Sequence, residues 1–395
     1  MTALMCGENL ILPSVNEIKT YKCEIDNLNS IIYSDNVCNI IAINICSVQK
    51  HFDEFCILLD NSPIKYDIII LVEAWLGRDS INADIYQLPN YSIFYTKLNK
   101  NQNDGVMVYI NNSLTVTSML ELQTQSHTVL EIQIKKWNTS FLIYSIYRSP
   151  NNDVELFLDE LQNTVLEKAK KINADFKILI GDINLDILRT SLITNKYLDL
   201  LAEFGYFKMI DIITRHASNS CLDHIFMKSK TTIYSKPIIC PVTISDHYPI
   251  LLSIGNLISN RKNKPDPLTI NTINYSILSN LISNQKWCTI LEHADVNNAT
   301  KRFINILNNL VKLASVSIKI SSKLKKIKPW ATTELIKAIR DRDQLHIKVK
   351  KHNTNDKLKK YYKNFRNKVT QLIRNAKNIY YKSELEKSNG NPKMC

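Results

Sequence analysis

No Cys-x-x-Cys pair occurs in the sequence. Nine cysteines (Cys6, Cys23, Cys38, Cys46, Cys56, Cys221, Cys240, Cys288 and Cys395) are scattered through 395 residues. An odd, unpatterned set points to reduced thiols inside a cell and excludes a disulfide framework or a zinc site. Long hydrophobic runs are missing too: no stretch approaches the ~18 uncharged apolar residues of a membrane-spanning helix. The opening Met-Thr-Ala-Leu-Met-Cys-Gly-Glu lacks the basic start and apolar core of a secretory signal. A soluble protein with no membrane partner is expected. Acidic residues are scarce at one end. Residues 261–395 carry 29 Lys+Arg against 9 Asp+Glu, a net of +20, so residues 1–260 carry 21 against 28, a net of −7, and the two give the chain's +13. The basic back suits a polyanion, nucleic acid first, although a charge run also serves as a solvated helix face. The acidic front is what a divalent-metal site wants. The length implies two or more structural units, each with its own core.

What is present begins with Lys-Ile-Leu-Ile-Gly-Asp-Ile-Asn-Leu-Asp at 177–186. Phe176 to Ile180 reads as a short buried strand, and Gly181 as a sharp turn that delivers Asp182 and Asn184 to one face at a sheet edge. By itself this is also the pattern of a strand followed by an Asx turn. Residues 1–38 show no firm period and read as a loosely ordered leader. Residues 39–46 form a first buried strand with Asn44 near its end. Ser47 is placed to cap a helix through Leu59 with Phe52, Phe55, Cys56 and Leu59 inward. Tyr66 to Val72 is a second strand running into Glu73, a carboxylate that is costly to bury unless it is paired or holds a cation; a glutamate in water just past the strand fits equally well. Strands near 91–97, 105–111, 115–120, 128–134 and 140–147 follow in an antiparallel rhythm. Tyr147 closes the last, with its hydroxyl free for a phosphate or simply wet. A helix at 153–171, another near 191–204, and strands over Cys221–Phe226 and Ile250–Ile254 complete the pattern. The last two carry Asp223 and, just upstream, Asp246 with His247.

Asn44, Glu73, Tyr147, Asp182 with Asn184, Asp223, and Asp246 with His247 each fall at a predicted strand end. In that order they resemble the endonuclease/exonuclease/phosphatase superfamily. The shared motifs are Ile-Asn-Ile (43–45), Leu-Val-Glu-Ala-Trp-Leu (71–76), Ile-Tyr-Arg-Ser-Pro (146–150), Gly-Asp-Ile-Asn (181–184), Leu-Asp-His-Ile (222–225) and Ser-Asp-His-Tyr-Pro-Ile (245–250). The match spans about 39–256 and is similar above all to the endonuclease domain of jockey-like non-long-terminal-repeat retrotransposons, through the Glu-Ala-Trp-Leu and Tyr-Arg-Ser-Pro variants and Thr-Arg placed before Asn-Ser-Cys-Leu-Asp-His-Ile. Residues 257–269 read as a linker. Residues 270–395 look like the basic helical connector that in such polyproteins precedes reverse transcriptase, with helical periodicity over 272–318 and a long basic helix or helix pair over 331–385, broken near 352–355. No Tyr/Phe-Ala-Asp-Asp box occurs, so the chain reads as a truncated element product.

The resemblance implies an α/β fold: a four-layer α/β sandwich of two packed mixed sheets flanked by helices, followed by a basic α-helical C-terminal region. It implies a Mg2+-dependent (Mn2+ as substitute) endonuclease that nicks target DNA, acting in the nucleus. Glu73 would hold the metal with Asn44 nearby and Asp246 assisting. Asp182 would activate the attacking water and Asn184 position it. His247, oriented by Asp223, would donate to the phosphoryl oxygen, and Tyr147 would contact the phosphate. Thr214 and Arg215 are candidates for contacts with the DNA backbone. The basic C-terminal helices would offer a place for element RNA, or an amphipathic face for another domain. One departure from the family pattern is Cys46, where relatives carry Asn, Asp or Arg; a thiol serves magnesium or phosphate poorly. This leaves two alternatives: a decayed nucleic-acid-binding remnant, and a phosphodiesterase of the same superfamily with a non-DNA substrate.

Overall fold

The computed structural model describes residues 19–32, 37–76, 83–230, 235–255, 269–291, 295–319 and 328–388. Most of the expected leader (1–18) and linker (257–268) lie outside the described residues. The chain forms two compact units, one from residues 1–260 and 326–395 and the other from 261–325.

The first unit is built on two mixed sheets. Its strands are β1 (Tyr21–Lys22), β2 (Cys38–Asn44), β3 (Ile68–Val72), β4 (Tyr91–Tyr95), β5 (Val106–Asn111), β6 (Thr115–Leu122), β7 (Thr128–Lys136), β8 (Thr139–Tyr147), β9 (Phe176–Asp182), β10 (Phe207–Lys208), β11 (Asp223–Ser229), β12 (Ser235–Ile239) and β13 (Ile250–Ile254). The seven-stranded sheet runs β1-β12-β13-β2-β3-β5-β4 and the six-stranded sheet β10-β11-β9-β8-β7-β6. The antiparallel rhythm of 91–147 hides a change of sheet between β5 and β6, which local periodicity does not report. The sandwich with helices outside is the fold that the resemblance implies.

Two parallel pairs set the location of the site. Strands β2 and β3 are parallel and joined by helix α1 (Val48–Asn61), while β8 and β9 are parallel and joined by α2 (Val154–Glu160), a π-helical turn (Leu161–Leu166) and α3 (Glu167–Lys171). A parallel pair needs such a crossover, so the carboxyl ends of both strands of each pair finish at the same edge. Asn44 stands opposite Val72, and Tyr147 opposite Asp182. The antiparallel neighbours β11 and β13 enter at that edge, putting Asp223 opposite Asp182.

Alternation within the strands explains their continuous apolar runs. Ile40, Ala42, Ile68, Ile70, Val72, Val106 and Val108 join the core between the sheets, while Ile41, Ile43, Ile69, Leu71, Met107 and Tyr109 face the other way toward Phe52 and Phe55 of α1. Both faces are covered, so both phases of the period-two pattern are hydrophobic. Each fully buried Ile or Leu contributes roughly 1.5–3 kcal/mol. Ser47 does cap α1, accepting from the Lys50 amide at 3.4 Å.

Two readings need correction. Tyr21–Lys22 is no loose leader: it is an edge strand parallel to β12, and Ile25 and Leu28 of the 3-10 turn that follows are buried against α1. The segment is too short for a period to show. Gly181 is not a turn but lies inside β9, in register with Ile146. At φ +147° it lets the Ile146 carbonyl come so close that a Cβ would sit 1.9 Å from that oxygen.

A helical pair completes the unit. Naming the helices in chain order, α4 (Leu192–Glu203) lies in the sandwich, α5 (Tyr275–Asn284), α6 (Cys288–Leu291) and α7 (Val296–Ala314) lie in the second unit, and the pair is α8 (Thr333–Lys351) with α9 (Asp356–Ser388). The break at 352–355 falls where the Asn- and Thr-rich stretch predicts it. Rather than standing apart as a connector, α8 packs Leu335 with Trp330 and Ala331 against Ile57 of α1. Arg342 is buried between Glu54 (2.6 Å) and its neighbour Asp343 (2.7 Å). The second unit contains a two-stranded antiparallel sheet, β14 (Thr269–Ile273) with β15 (Ser315–Lys319), the two strands joined through α5, α6 and α7. There Leu310 is buried, and Phe303 and Ile304 are exposed.

Candidate active site

Asp182 is the buried centre of the edge where the strand ends meet. Its Oδ2 accepts from Asn44 Nδ2 at 2.8 Å and from Asn184 Nδ2 at 3.2 Å, and its Oδ1 from the Asn184 amide at 2.9 Å. Burial, and then the nearby Asp223, push its pKa up to about 7. Asn44 commits Nδ2 to Asp182, and its Oδ1 accepts from the Cys46 amide at 3.1 Å, which leaves one lone pair of that oxygen unused.

Opposite lies the pair Asp223–His247, with Nδ1 2.7 Å from Oδ2 and both side chains almost wholly buried. Burial alone would lower the histidine pKa, but Asp223, with smaller contributions from Asp182 and Asp246, overrides it and holds the imidazole cationic, near 9. Single ligand atoms of Asp182, Asp223 and His247 lie within 4.8 Å of one another, a spacing that would admit an ion. An imidazolium offers no lone pair, so this trio suits proton handling better than ligation.

Glu73 follows β3 in the left-handed region (φ +52°), partly exposed. Tyr147 donates to its Oε1 at 2.7 Å, and the Cys46 thiol to its Oε2 at 3.4 Å. In this structure the Tyr147 hydroxyl is engaged by Glu73. Burial and then Glu73 raise the Cys46 pKa to about 12, which keeps it a neutral thiol. Cys46, Glu73 and Asn184 all have φ near +50°. Such backbone costs of order 1–3 kcal/mol for each residue and clusters where function holds it.

Asp246 is paired with Arg215, Nε to Oδ2 at 2.8 Å. The Cys46 thiol feels both Glu73 and Asp246, and the Arg215 guanidinium feels Asp246, Asp182 and Glu73, so these charges share one mouth. The carboxylates of Glu73 and Asp246 offer hard oxygen donors of the kind a divalent cation takes. Arg215 is half-buried at the rim. Thr214 corrects the expectation for DNA contact: it is fully buried, its Oγ1 accepting from the amides of Leu222 and Asp223 at 3.0 Å each. It sets the start of β11, and with it Asp223.

Three residues of the site escaped the sequence reading. Arg148 is fully buried and donates to the carbonyls of Ile183 (2.8 Å), Asn184 (2.9 Å) and Asn152 (2.7 Å), while Asn184 Nδ2 returns a bond to the Arg148 carbonyl at 2.9 Å. It anchors the turn after Asp182. The signal was available: a cation directly after a buried strand raises the same question as Glu73 does. Ser245 ties the Asp-His loop to β2, its Oγ donating to the Asn44 carbonyl at 2.6 Å and accepting from the His247 amide at 3.1 Å. His216 supports the loop from outside, its amide donating to the Asp246 carbonyl at 3.2 Å; nothing local in the sequence marks it.

Comparison with solved structures finds several similar chains. An endonuclease/exonuclease/phosphatase family protein from Leptotrichia buccalis is similar at 18% identity, covering 55% of this chain and 100% of its own, with a TM-score of 0.42. D. rerio TDP2 complexed with single-strand DNA product is similar at 16%, covering 56% and 100%, with a TM-score of 0.43. The endonuclease domain of TRAS1, a telomere-specific non-LTR retrotransposon, is similar at 13%, covering 55% and 98%, with a TM-score of 0.43. No curated protein matches the sequence. The family model of the female sterile protein K10 C-terminal domain matches residues 331–390 alone, the stretch that holds α8 and α9.

Proposed function

We propose that the chain is a divalent-metal-dependent phosphodiester hydrolase that nicks DNA. The observation that carries this reading is the buried carboxylate of Asp182, gripped by two asparagine amides and facing a carboxylate-paired, cationic histidine. Phosphodiester cleavage needs a base for water, donors to the phosphoryl oxygens and neutralisation of charge. Asp182 takes the proton of the attacking water, and Asn44 and Asn184 hold its oxygens in line. His247 donates from Nε2 to a phosphoryl oxygen while Asp223 fixes its tautomer through Nδ1. Glu73, held by Tyr147, and Asp246, steadied by Arg215, would hold Mg2+ or Mn2+. A bound cation there neutralises charge on the phosphate and the leaving oxygen. Arg215 at the rim supplies a phosphate contact. No helix among the described residues is long and apolar enough to cross a membrane, and work on chromosomal DNA would place the protein in the nucleus.

The test is incubation of the purified chain with supercoiled plasmid and magnesium, alongside a chelator control and the variants Asp182→Asn and His247→Ala. Chelator-sensitive nicking lost in both variants supports the reading. A folded wild type that retains plasmid in a salt-sensitive way without nicking it leaves a nucleic-acid-binding remnant. Preference for a nucleotide or lipid phosphodiester over DNA leaves a different hydrolase on the same fold.

A further inference from the structure

A second concentration of charge sits beside the site, at the corner between α8 and α9. Lys348, Lys350 and Lys351 end one helix, and Lys357, Lys359, Lys360 and Lys363 begin the next; all seven are exposed. Between 348 and 363 the sequence offers one acid, Asp356, which Lys359 engages at 3.3 Å. Opposite charges at i,i+3 or i,i+4 stabilise a solvated helix face, and here only Asp356, placed before Lys359 and Lys360, supplies one. Lys357, Lys360 and Lys363 repeat every third residue, forming a row about 9 Å long on α9.

The corner is fixed against the catalytic rim. Lys350 Nζ donates to the carbonyl of His216, the residue after Arg215. The His346 ring on α8 lies 4.3 Å from that of His216 and 5.2 Å from that of Tyr362 on α9. Asp343 accepts from the Thr243 hydroxyl at 2.5 Å, four residues before His247. Lys22 approaches from β1, its ammonium 5.4 Å from the centre of the Tyr248 ring. Its pKa is lowered by burial and then by Lys351, so like charges are crowded here with little acid to offset them.

We propose that this corner is a phosphate-backbone clamp for duplex DNA flanking the scissile bond, so that the substrate is a long duplex and not a short oligonucleotide or small phosphodiester. The inference builds on the nuclease reading and names its substrate. Duplex DNA presents one charge per ~1.7 Å of axis, dense enough to meet all three lysines of the row, and a clamp held by α8 presents those lysines without first ordering a loop.

The experiment uses the full chain and the triple variants K357E/K360E/K363E and K357Q/K360Q/K363Q. Binding of a 30-bp duplex is followed by fluorescence anisotropy between 50 and 200 mM salt, and hydrolysis of bis(p-nitrophenyl) phosphate reports the site without a duplex. Both variants should bind the duplex at least about tenfold more weakly, with the log–log salt slope shallower by about 2 to 3, and hydrolyse the small ester like the wild type. Unchanged affinity and slope overturn the clamp, whatever the plasmid assay shows. Corner-dependent binding that favours single-stranded RNA over the duplex also overturns it. Corner-dependent duplex binding by a wild type that cleaves nothing keeps the clamp and removes the nuclease reading instead.

Discussion

His247 Nδ1 and Asp223 Oδ2 lie 2.7 Å apart, with both side chains almost wholly buried. A bond of that length to a buried carboxylate fixes which imidazole nitrogen faces inward and favours the cation. Asp223→Asn keeps the shape but removes the charge, so His247 falls back toward neutrality. We expect plasmid nicking to drop by about 10²–10⁴-fold with circular dichroism unchanged. Nicking within a few-fold of wild type would show that His247 needs no cationic form.

Gly181 and Ile146 are neighbours of another kind. A methyl at 181 has no room beside the Ile146 carbonyl, and the φ of +147° disfavours any side chain. Gly181→Ala should destabilise the chain by about 2–4 kcal/mol and displace Asp182, the next residue. Urea denaturation reads the first effect and plasmid nicking the second. A stable, active Ala variant would mean that β8 and β9 separate here at little cost.

These cases show where the sequence was legible. Strand runs, the α1 cap, the break between α8 and α9 and the order of polar residues at strand ends come from local chemistry: period, capping and turns. That Asn44, Glu73, Asp182, Asp223 and His247 gather at one edge was implied by the family resemblance and not by period. What stayed hidden is set by partners far away in the chain. Gly181 answers to Ile146, Thr214 to the amides of Leu222 and Asp223, and His216 to His346. Period and propensity cannot register such pairs. Thr214 and Arg215 looked equivalent as neighbours, yet one points into the fold and the other to the rim.

That division predicts a contrast. Thr214→Val strands the amides of Leu222 and Asp223, costing about 1–3 kcal/mol, with no change in the salt slope of DNA binding. Arg215→Gln should leave urea stability nearly unchanged, reduce the salt slope by about one and slow nicking. Reversal of the two patterns would return the DNA contact to Thr214.

Acid should loosen the docked helix. Burial, then His216, with Lys350, Arg342 and Lys22 also facing it, lowers the His346 pKa to about 3. Burial likewise lowers those of His127 and His224 to about 4. The unfolded chain takes up these protons first, so the share of stability these histidines carry is full above pH 6.5 and declines as the pH falls toward 3 or 4, while Asp182, raised to about 7, works the other way in the same window. His247 works the other way, its share present below 6.5 and lost as pH rises through about 9, so it adds nothing to the acid slope. His346→Leu should therefore flatten the fall in urea stability between pH 6.5 and 4 by up to about 1.4 kcal/mol per pH unit. An unchanged slope would show that His346 does not carry the acid sensitivity.

Cys46 offers a gain to be tested. Its φ of +52° is one that asparagine accepts more readily than cysteine. Its neutral thiol lies beside Glu73, where asparagine would set an amide oxygen. Cys46→Asn should lower the magnesium concentration for half-maximal nicking by about tenfold, the scale of a group that supports a metal ligand. Cys46→Ser, which keeps a small donor to Glu73, should change it little. A magnesium titration of plasmid nicking separates the three proteins. If Asn and Cys show the same requirement, Glu73 takes its cation on the side away from residue 46, and the thiol is no handicap to the site.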